Sequence, residues 1–322
     1  MVRGMQDAGI LACAKHFPGH GDVQIDSHKA LPIIYHPLHH LEAIELVPFS
    51  GAIEAGVAAV MSGHLLLPAL DPIHPASLSY PIMHQLLKEQ LKFKGLRISD
   101  ALNMKALVDN YSIQEIITQS LVAGHDLLTF GAHLYGDVQN ILQEIIPIAY
   151  AAIEQGVIEG NISEEEIDAH VLKVLSIKER LGLDQNRFLP LPHDLLEQLN
   201  SQEGVDLQNN LYRKAVTLLH NRLIPVKSPG YVKLWEDRSL PQTETVVVAI
   251  NHVDQIPYLQ DICTKHSKVI VALFTSPYLL KDIPKVTTVV GYEWCAASEQ
   301  AVWDVITGKE EGRGELPITL PQ

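Results

Sequence analysis

The chain has 322 residues, 47% of them hydrophobic, enough to bury one large core or two smaller ones. Its 24 Lys and Arg against 38 Asp and Glu give a formal net charge of −14, which repels phosphate backbones and anionic lipid surfaces, so nucleic acid is not expected as a partner. Cys13, Cys263 and Cys295 are too scattered for a disulfide framework or a CxxC metal site, and no run of about 20 apolar residues or export leader stands out, so a cytoplasmic protein without a membrane span is expected.

Taken in chain order, the apolar runs ILACAKHF (10–17), VAAVMSGHLLL (57–67), LRISDAL (96–102) and DLLTFGA (126–132) read as buried strands. Between them, residues 41–56, 82–93 and 112–125 carry apolar positions near helical spacing, which predicts a βαβαβαβ order and a parallel sheet. A helix is expected around 136–155, followed by another after Ser163, where Ser163 and Glu166 have the spacing of a capping box. Pro190 and Pro192 mark an exit from this domain. Beyond it AVTLL, TVVVAI, KVIVALF and TTVVGY read as strands of a small α/β domain. The expected division is a catalytic domain over 1–185, a linker over 186–204 and a C-terminal α/β domain over 205–322. Four strands are too few for a closed eight-stranded barrel, and half a barrel leaves strand edges that must be covered.

Polar residues with useful chemistry follow each strand of the first domain, at the ends where parallel α/β folds place their sites. The densest stretch is KHFPGHGDVQIDSH, residues 15–28. There Pro18, Gly19 and Gly21 force a tight loop, and Asp26 sits two residues before His28, a spacing that suits a carboxylate fixing an imidazole that moves a proton. His16, His20, Asp22, Asp26 and His28 could also hold a metal ion, but Lys15 stands beside them and no H-E-x-x-H helix is present, so no metal or other cofactor is expected. Asp100, at the end of the third strand, is placed either to act as a nucleophile or base or to cap the helix that follows. Ser62 and His64 end the second strand, where His64 is equally readable as a site residue or as a satisfied core histidine.

KHFPGHGD followed by DSH, the ELxPFxxAIxAG pattern of Glu45 to Gly56, then VMSGH, SDALNM and ISEEEID, in that order, closely resembles the family 3 glycoside hydrolases. The bacterial β-N-acetylglucosaminidase branch is the most similar, over about residues 4–183. AVTLLHN with LIPV, and GELPITLP, resemble the accessory α/β domain of part of the family. The resemblance implies the second half, about four β/α units, of a TIM-type (β/α)8 barrel followed by a small α/β sandwich-like domain. It implies a retaining hydrolase that removes terminal β-linked N-acetylglucosamine, with peptidoglycan-derived fragments as the expected substrate. In that scheme Asp100 is the nucleophile, His28 the general acid and base with Asp26 behind it, and Lys15, His16, Ser62, His64 and Met104 bind substrate. A carbohydrate is the expected ligand, and a dimer or a separate missing-half partner the expected way to cover the open sheet. A catalytically silent member, a β-glucosidase and a phosphorylase of the same family remain alternatives.

Overall fold

The computed structural model describes residues 1–23, 25–132, 138–186, 188 and 190–320, and the chain forms two compact units, Met1–Leu189 and Pro190–Gln322. In the first, β1 (Cys13–Phe17), β2 (Ala59–Ser62), β3 (Leu96–Ala101) and β4 (Leu127–Thr129) form one parallel sheet in sequence order. The strands are shorter than the apolar runs that announce them. Only their central residues pair, and the flanking apolar residues Leu65, Leu67 and Leu102 pack as buried loop residues. Among the described residues β1 and β4 each pair with a single strand of the sheet.

The segment expected as one helix over 41–56 is two helices, Leu38–Ala43 and Val47–Glu54. Pro48 explains the break, because proline fits the first turn of a new helix and lacks the N–H that a continuing one would need. The helix Ile113–Ala123 opens on a Ser112–Glu115 capping box and ends at Gly124, whose φ of 101° places it in the left-handed region. A side chain there would also run into the Arg97 guanidinium. The Ser163–Glu166 box forms as expected, with both reciprocal bonds present, and starts the helix Glu164–Arg180.

Helical structure runs without interruption over Val138–Ile158, while positions 136 and 137 of the expected helix lie outside the described residues. At 21 residues this stretch is long and apolar enough, by length and composition alone, to cross a membrane, which corrects the expectation that no such run exists. Its polar positions include Glu144, Glu154 and Gln155, and Ala149, Ala152 and Ile153 pack on Ile116, Ile117 and Leu107 as one wall of the core.

The second unit holds a five-stranded sheet in the order β5 (Thr217–Leu219), β9 (Thr287–Val290), β8 (Val269–Leu273), β7 (Val246–Ile250) and β6 (Gly230–Lys233). All pairs are parallel except β5 with β9. The continuous apolar runs of β7 and β8 are those of strands covered on both faces. Val246, Val248 and Ile250 face the helix Ile256–Lys265, whereas Val247 and Ala249 face Ala296–Thr307. β6 escaped the sequence reading because GYVK is short and only half-buried. The segment expected as a linker, 186–204, is partly helical: it contains Leu195–Leu199, and Gln202–Ala215 begins inside it, with Ser201 accepting the Gly204 N–H as a cap.

Candidate active site

The polar residues singled out in the first domain gather at the C-terminal ends of β1, β2 and β3. β1 and β3 both lose regular register there, between Lys15 and Phe17 and between Ile98 and Ala101. Such irregularities re-aim side chains at the rim of a sheet. Here they fall at His16 and Asp100, and the two side chains meet, His16 Nε2 lying 3.4 Å from Asp100 Oδ2. The other Asp100 oxygen accepts the Ala101 N–H at 2.8 Å. Asp100 does not cap the following helix, which runs over Lys105–Val108 from Met104. Of the two roles left open, the geometry leaves that of a fixed, partly exposed carboxylate.

Burial pushes the His16 imidazole below its usual pKa; Asp100 opposes this, and the positive field of Lys15, His20 and His28 adds to it. His16 is therefore neutral around pH 7 and acts beside Asp100 as a hydrogen-bonding group. The Asp26–His28 loop follows directly from β1, the strand that carries His16.

In that loop His28 donates to Asp26 Oδ1 twice, from its backbone N–H at 2.9 Å and from Nδ1 at 2.8 Å. These bonds hold the Asp26 carboxyl below the usual carboxylate range, the backbone bond contributing most. Because Asp26 takes the Nδ1 proton, Nε2 is the nitrogen left to exchange one with a ligand. Both side chains are about half exposed, so the dyad sits at the solvent end of the site. The loop is tied to itself by His20 Nε2 and Ser27 Oγ at 3.1 Å. Gly19 has φ 142°, and a Cβ there would lie 2.6 Å from Cβ of Glu45, so only glycine lets the chain fold back at this point. An open cavity of about 650 Å³ runs beside β1, lined by Lys15, His16, His20 and Glu45 among others.

Three residues expected to bind substrate are buried. Ser62, His64 and Met104 are at most 1% exposed. His64 meets the Ala101 carbonyl through Nε2 at 3.0 Å and Ser77 Oγ through Nδ1 at 2.8 Å. A carbonyl only accepts, so Nε2 carries the proton and Ser77 donates to Nδ1. His64 is thus the satisfied core histidine, and it positions the backbone immediately after Asp100. Ser62 Oγ donates at 2.8 Å to Nε2 of the buried His125, whose Nδ1–H is given to the Ser120 carbonyl at 3.0 Å. Met104 fills the core below the same turn, where an unbranched thioether packs without needing a polar partner. The five donors grouped in the sequence as a possible ion site also separate: His16 turns to Asp100, His20 to Ser27, Asp22 to His36, and Asp26 to His28.

Other polar groups hold the frame: Asn103, after the third strand, is among the polar residues that the sequence places at strand ends, whereas the Asp126 cluster was not foreseen. Asn103 exchanges two hydrogen bonds with Gly131, at 2.9 and 2.8 Å, and so joins the loop after β3 to the loop after β4. At the opposite, N-terminal end of the sheet, the buried side chain of Asp126 accepts from the Arg97 backbone at 2.8 Å, His170 Nδ1 at 2.7 Å and Lys173 Nζ at 2.9 Å. Burial alone would raise this carboxyl, but these donors and the Arg97 guanidinium hold it well below the usual range. A charged residue directly before a short strand, with His and Lys three apart on a later helix, was the only signal in the sequence.

In this parallel α/β unit the carboxylate stands at the end of β3 and the aspartate–histidine dyad on the loop after β1, two strands away, at the strand ends where such folds place their sites. The family model described as the glycosyl hydrolase family 3 N terminal domain matches residues 1–177, and the chain belongs to that family. It is 30% identical over 195 residues to β-hexosaminidase A of Pseudoalteromonas piscicida, covering 56% of this chain and 32% of that protein. With the β-hexosaminidase of Thiobacillus denitrificans it shares 41% identity over 127 residues, covering 39% of this chain and 35% of the relative. The matches thus span about a third of each curated relative. Among solved structures, a family 3 β-N-acetylglucosaminidase from a Paenibacillus strain superposes with a TM-score of 0.77 at 29% identity, covering 99% of this chain and 69% of that one.

Proposed function

We propose that this chain carries the reacting groups of a retaining glycosidase that removes terminal β-linked N-acetylglucosamine. The observation that carries the reading is the Asp100 carboxylate, fixed by the Ala101 N–H and facing the His16 imidazole at the end of β1, the strand whose following loop holds the Asp26–His28 dyad. In the proposed first step Asp100 attacks the anomeric carbon while protonated His28 gives its Nε2 proton to the leaving oxygen, producing an alcohol and a glycosyl ester. In the second, His28 takes a proton from water, the water oxygen attacks the same carbon, and the Asp100 carboxylate leaves. Asp26 supports both steps by accepting the Nδ1 proton in either state of the ring. Lys15, exposed near the end of β1, and His16 beside it are proposed to hold sugar hydroxyls as donors.

The names of the curated relatives, β-hexosaminidases, and of the Paenibacillus protein support this choice of sugar. Peptidoglycan-derived fragments as substrate and a cytoplasmic site of action are parts of the same proposal. So is the reading of the four-stranded sheet as half of an eight-stranded barrel, closed at β1 and β4 by strands of a second copy or of another polypeptide segment. The pairing of β1 and β4 with one neighbour each supports it.

Turnover of an aryl β-N-acetylglucosaminide by the folded protein, compared with its Asp100→Asn variant, tests the assignment. Loss of about a thousandfold or more is expected. Equal turnover in the two proteins would overturn the role of Asp100.

A further inference from the structure

We infer that His36, His40 and Glu45 form a binding site for a divalent transition-metal ion of the zinc class, with Asp22 in support. One nitrogen from each imidazole and one oxygen from the carboxylate lie within 4.8 Å of one another. The three come from a ten-residue stretch. His36 ends the loop after β1, His40 lies in the helix Leu38–Ala43, and Glu45 sits in the turn before Val47–Glu54. The i, i+4 spacing of the histidines stacks their rings, with centroids 4.0 Å apart. Two imidazoles and a carboxylate make a donor set suited to zinc and its neighbours, with a coordination position left for water.

Glu45 is the observation that asks for a cation. Its side chain is only 6% exposed, its Oε2 is buried without a hydrogen-bond partner, and among the described residues its Oε1 faces His40 Nε2 at 3.7 Å, beyond hydrogen-bond distance. A buried carboxylate is normally satisfied by several donors at hydrogen-bond distance. Bonds of about 2.0–2.1 Å to a tetrahedral zinc place ligand atoms about 3.4 Å apart. The His40–Glu45 pair already stands close to that separation, and His36, at the end of a loop, has freedom to close the remaining gap.

Asp22 Oδ2 meets His36 Nε2 at 2.6 Å. It either fixes the His36 tautomer from behind, as carboxylates do for metal-bound histidines, or supplies a fourth oxygen. Both arrangements bring negative charge to the ion. Lys15 lines the cavity that Glu45 also borders and opposes a cation there, so the ion is held by the three donors and not in the open cavity. Neither Asp26 nor His28 belongs to the set. The inference stands or falls separately from the proposed glycosidase chemistry.

The test is titration of the chelator-treated full chain with ZnCl2 by calorimetry, and with CoCl2 by visible absorption, which reports low-coordinate cobalt. One ion per chain is expected, with a rise in thermal midpoint on binding. Glu45→Gln should abolish both while leaving the metal-free protein folded, since it removes an unpartnered buried charge and keeps the shape. His40→Ala provides a second variant at a half-buried position and should also lose the ion. Asp22→Asn should weaken affinity by about 10- to 100-fold. The chain has 16 histidines, so scattered surface binding is the competing outcome. Unchanged affinity in Glu45→Gln and His40→Ala, or no saturable binding by the parent protein, would overturn the site.

Discussion

His64 and His125 are fully buried, and each gives one ring proton to a backbone carbonyl and receives a hydroxyl proton at the other nitrogen. That arrangement accepts only the neutral ring, and burial pushes both from the ordinary 6.5 to about 4. The sign of the consequence follows. Below about pH 6.5 the unfolded chain takes up protons that the folded chain refuses, so stability falls as pH drops from about 6.5 towards about 4. His16, shifted in the same direction, adds to the trend. Urea midpoints measured across this window are expected to decline steadily with acidity, before the low-lying Asp126 begins to titrate. A profile that stays flat to about pH 4 would contradict the buried neutral pair. His64 also shows what residue type alone cannot settle. In VMSGH it reads equally as a ligand-binding histidine or as core, and only the carbonyl above it and Ser77 beside it decide the matter.

The elements that were plain in the sequence are those with a strong local cause. The Ser163–Glu166 box predicts the start of Glu164–Arg180 because two backbone donors are satisfied within four residues. The runs around β2 and β3 declare buried strands through continuous apolar character. Elements set by tertiary context were harder to read. The break between Leu38–Ala43 and Val47–Glu54, the four-residue β6 and the helix within the expected linker have weak periodicity of their own. Invisible as well was the anchor between Glu164–Arg180 and the sheet, where His170 and Lys173 meet Asp126 across more than forty positions of sequence. Asp126 is 1% exposed at its side chain, so Asp126→Asn leaves Arg97, His170 and Lys173 facing a neutral amide. A loss of about 3–5 kcal/mol is expected from urea unfolding. A change below about 1 kcal/mol would mean that this cluster does not hold the helix in place.

At the scale of the molecule, two units are joined in one chain, and the chemistry-bearing residues all lie in the first. The candidate site was legible in part. Asp100, His16, Asp26 and His28 occupy strand ends and one loop, as their spacing suggests, whereas Ser62, His64 and Met104 are buried in the core. Sequence order identifies a motif, but side-chain direction depends on the register shifts at His16 and Asp100, which only the folded sheet displays. The central claim is that Asp100 takes the sugar and His28 releases it. In His28→Ala, an aryl β-N-acetylglucosaminide with a strongly activated leaving group should still glycosylate Asp100, because departure then needs no acid, while attack by water is slowed for want of a base. The most direct measurement is intact and peptide mass spectrometry of that variant after brief exposure to the substrate. The account predicts one added N-acetylglucosaminyl group, mapped to the peptide containing Asp100 and absent when Asp100→Asn is combined with it. An adduct on another residue, or no adduct while the aryl alcohol is still released, would contradict it.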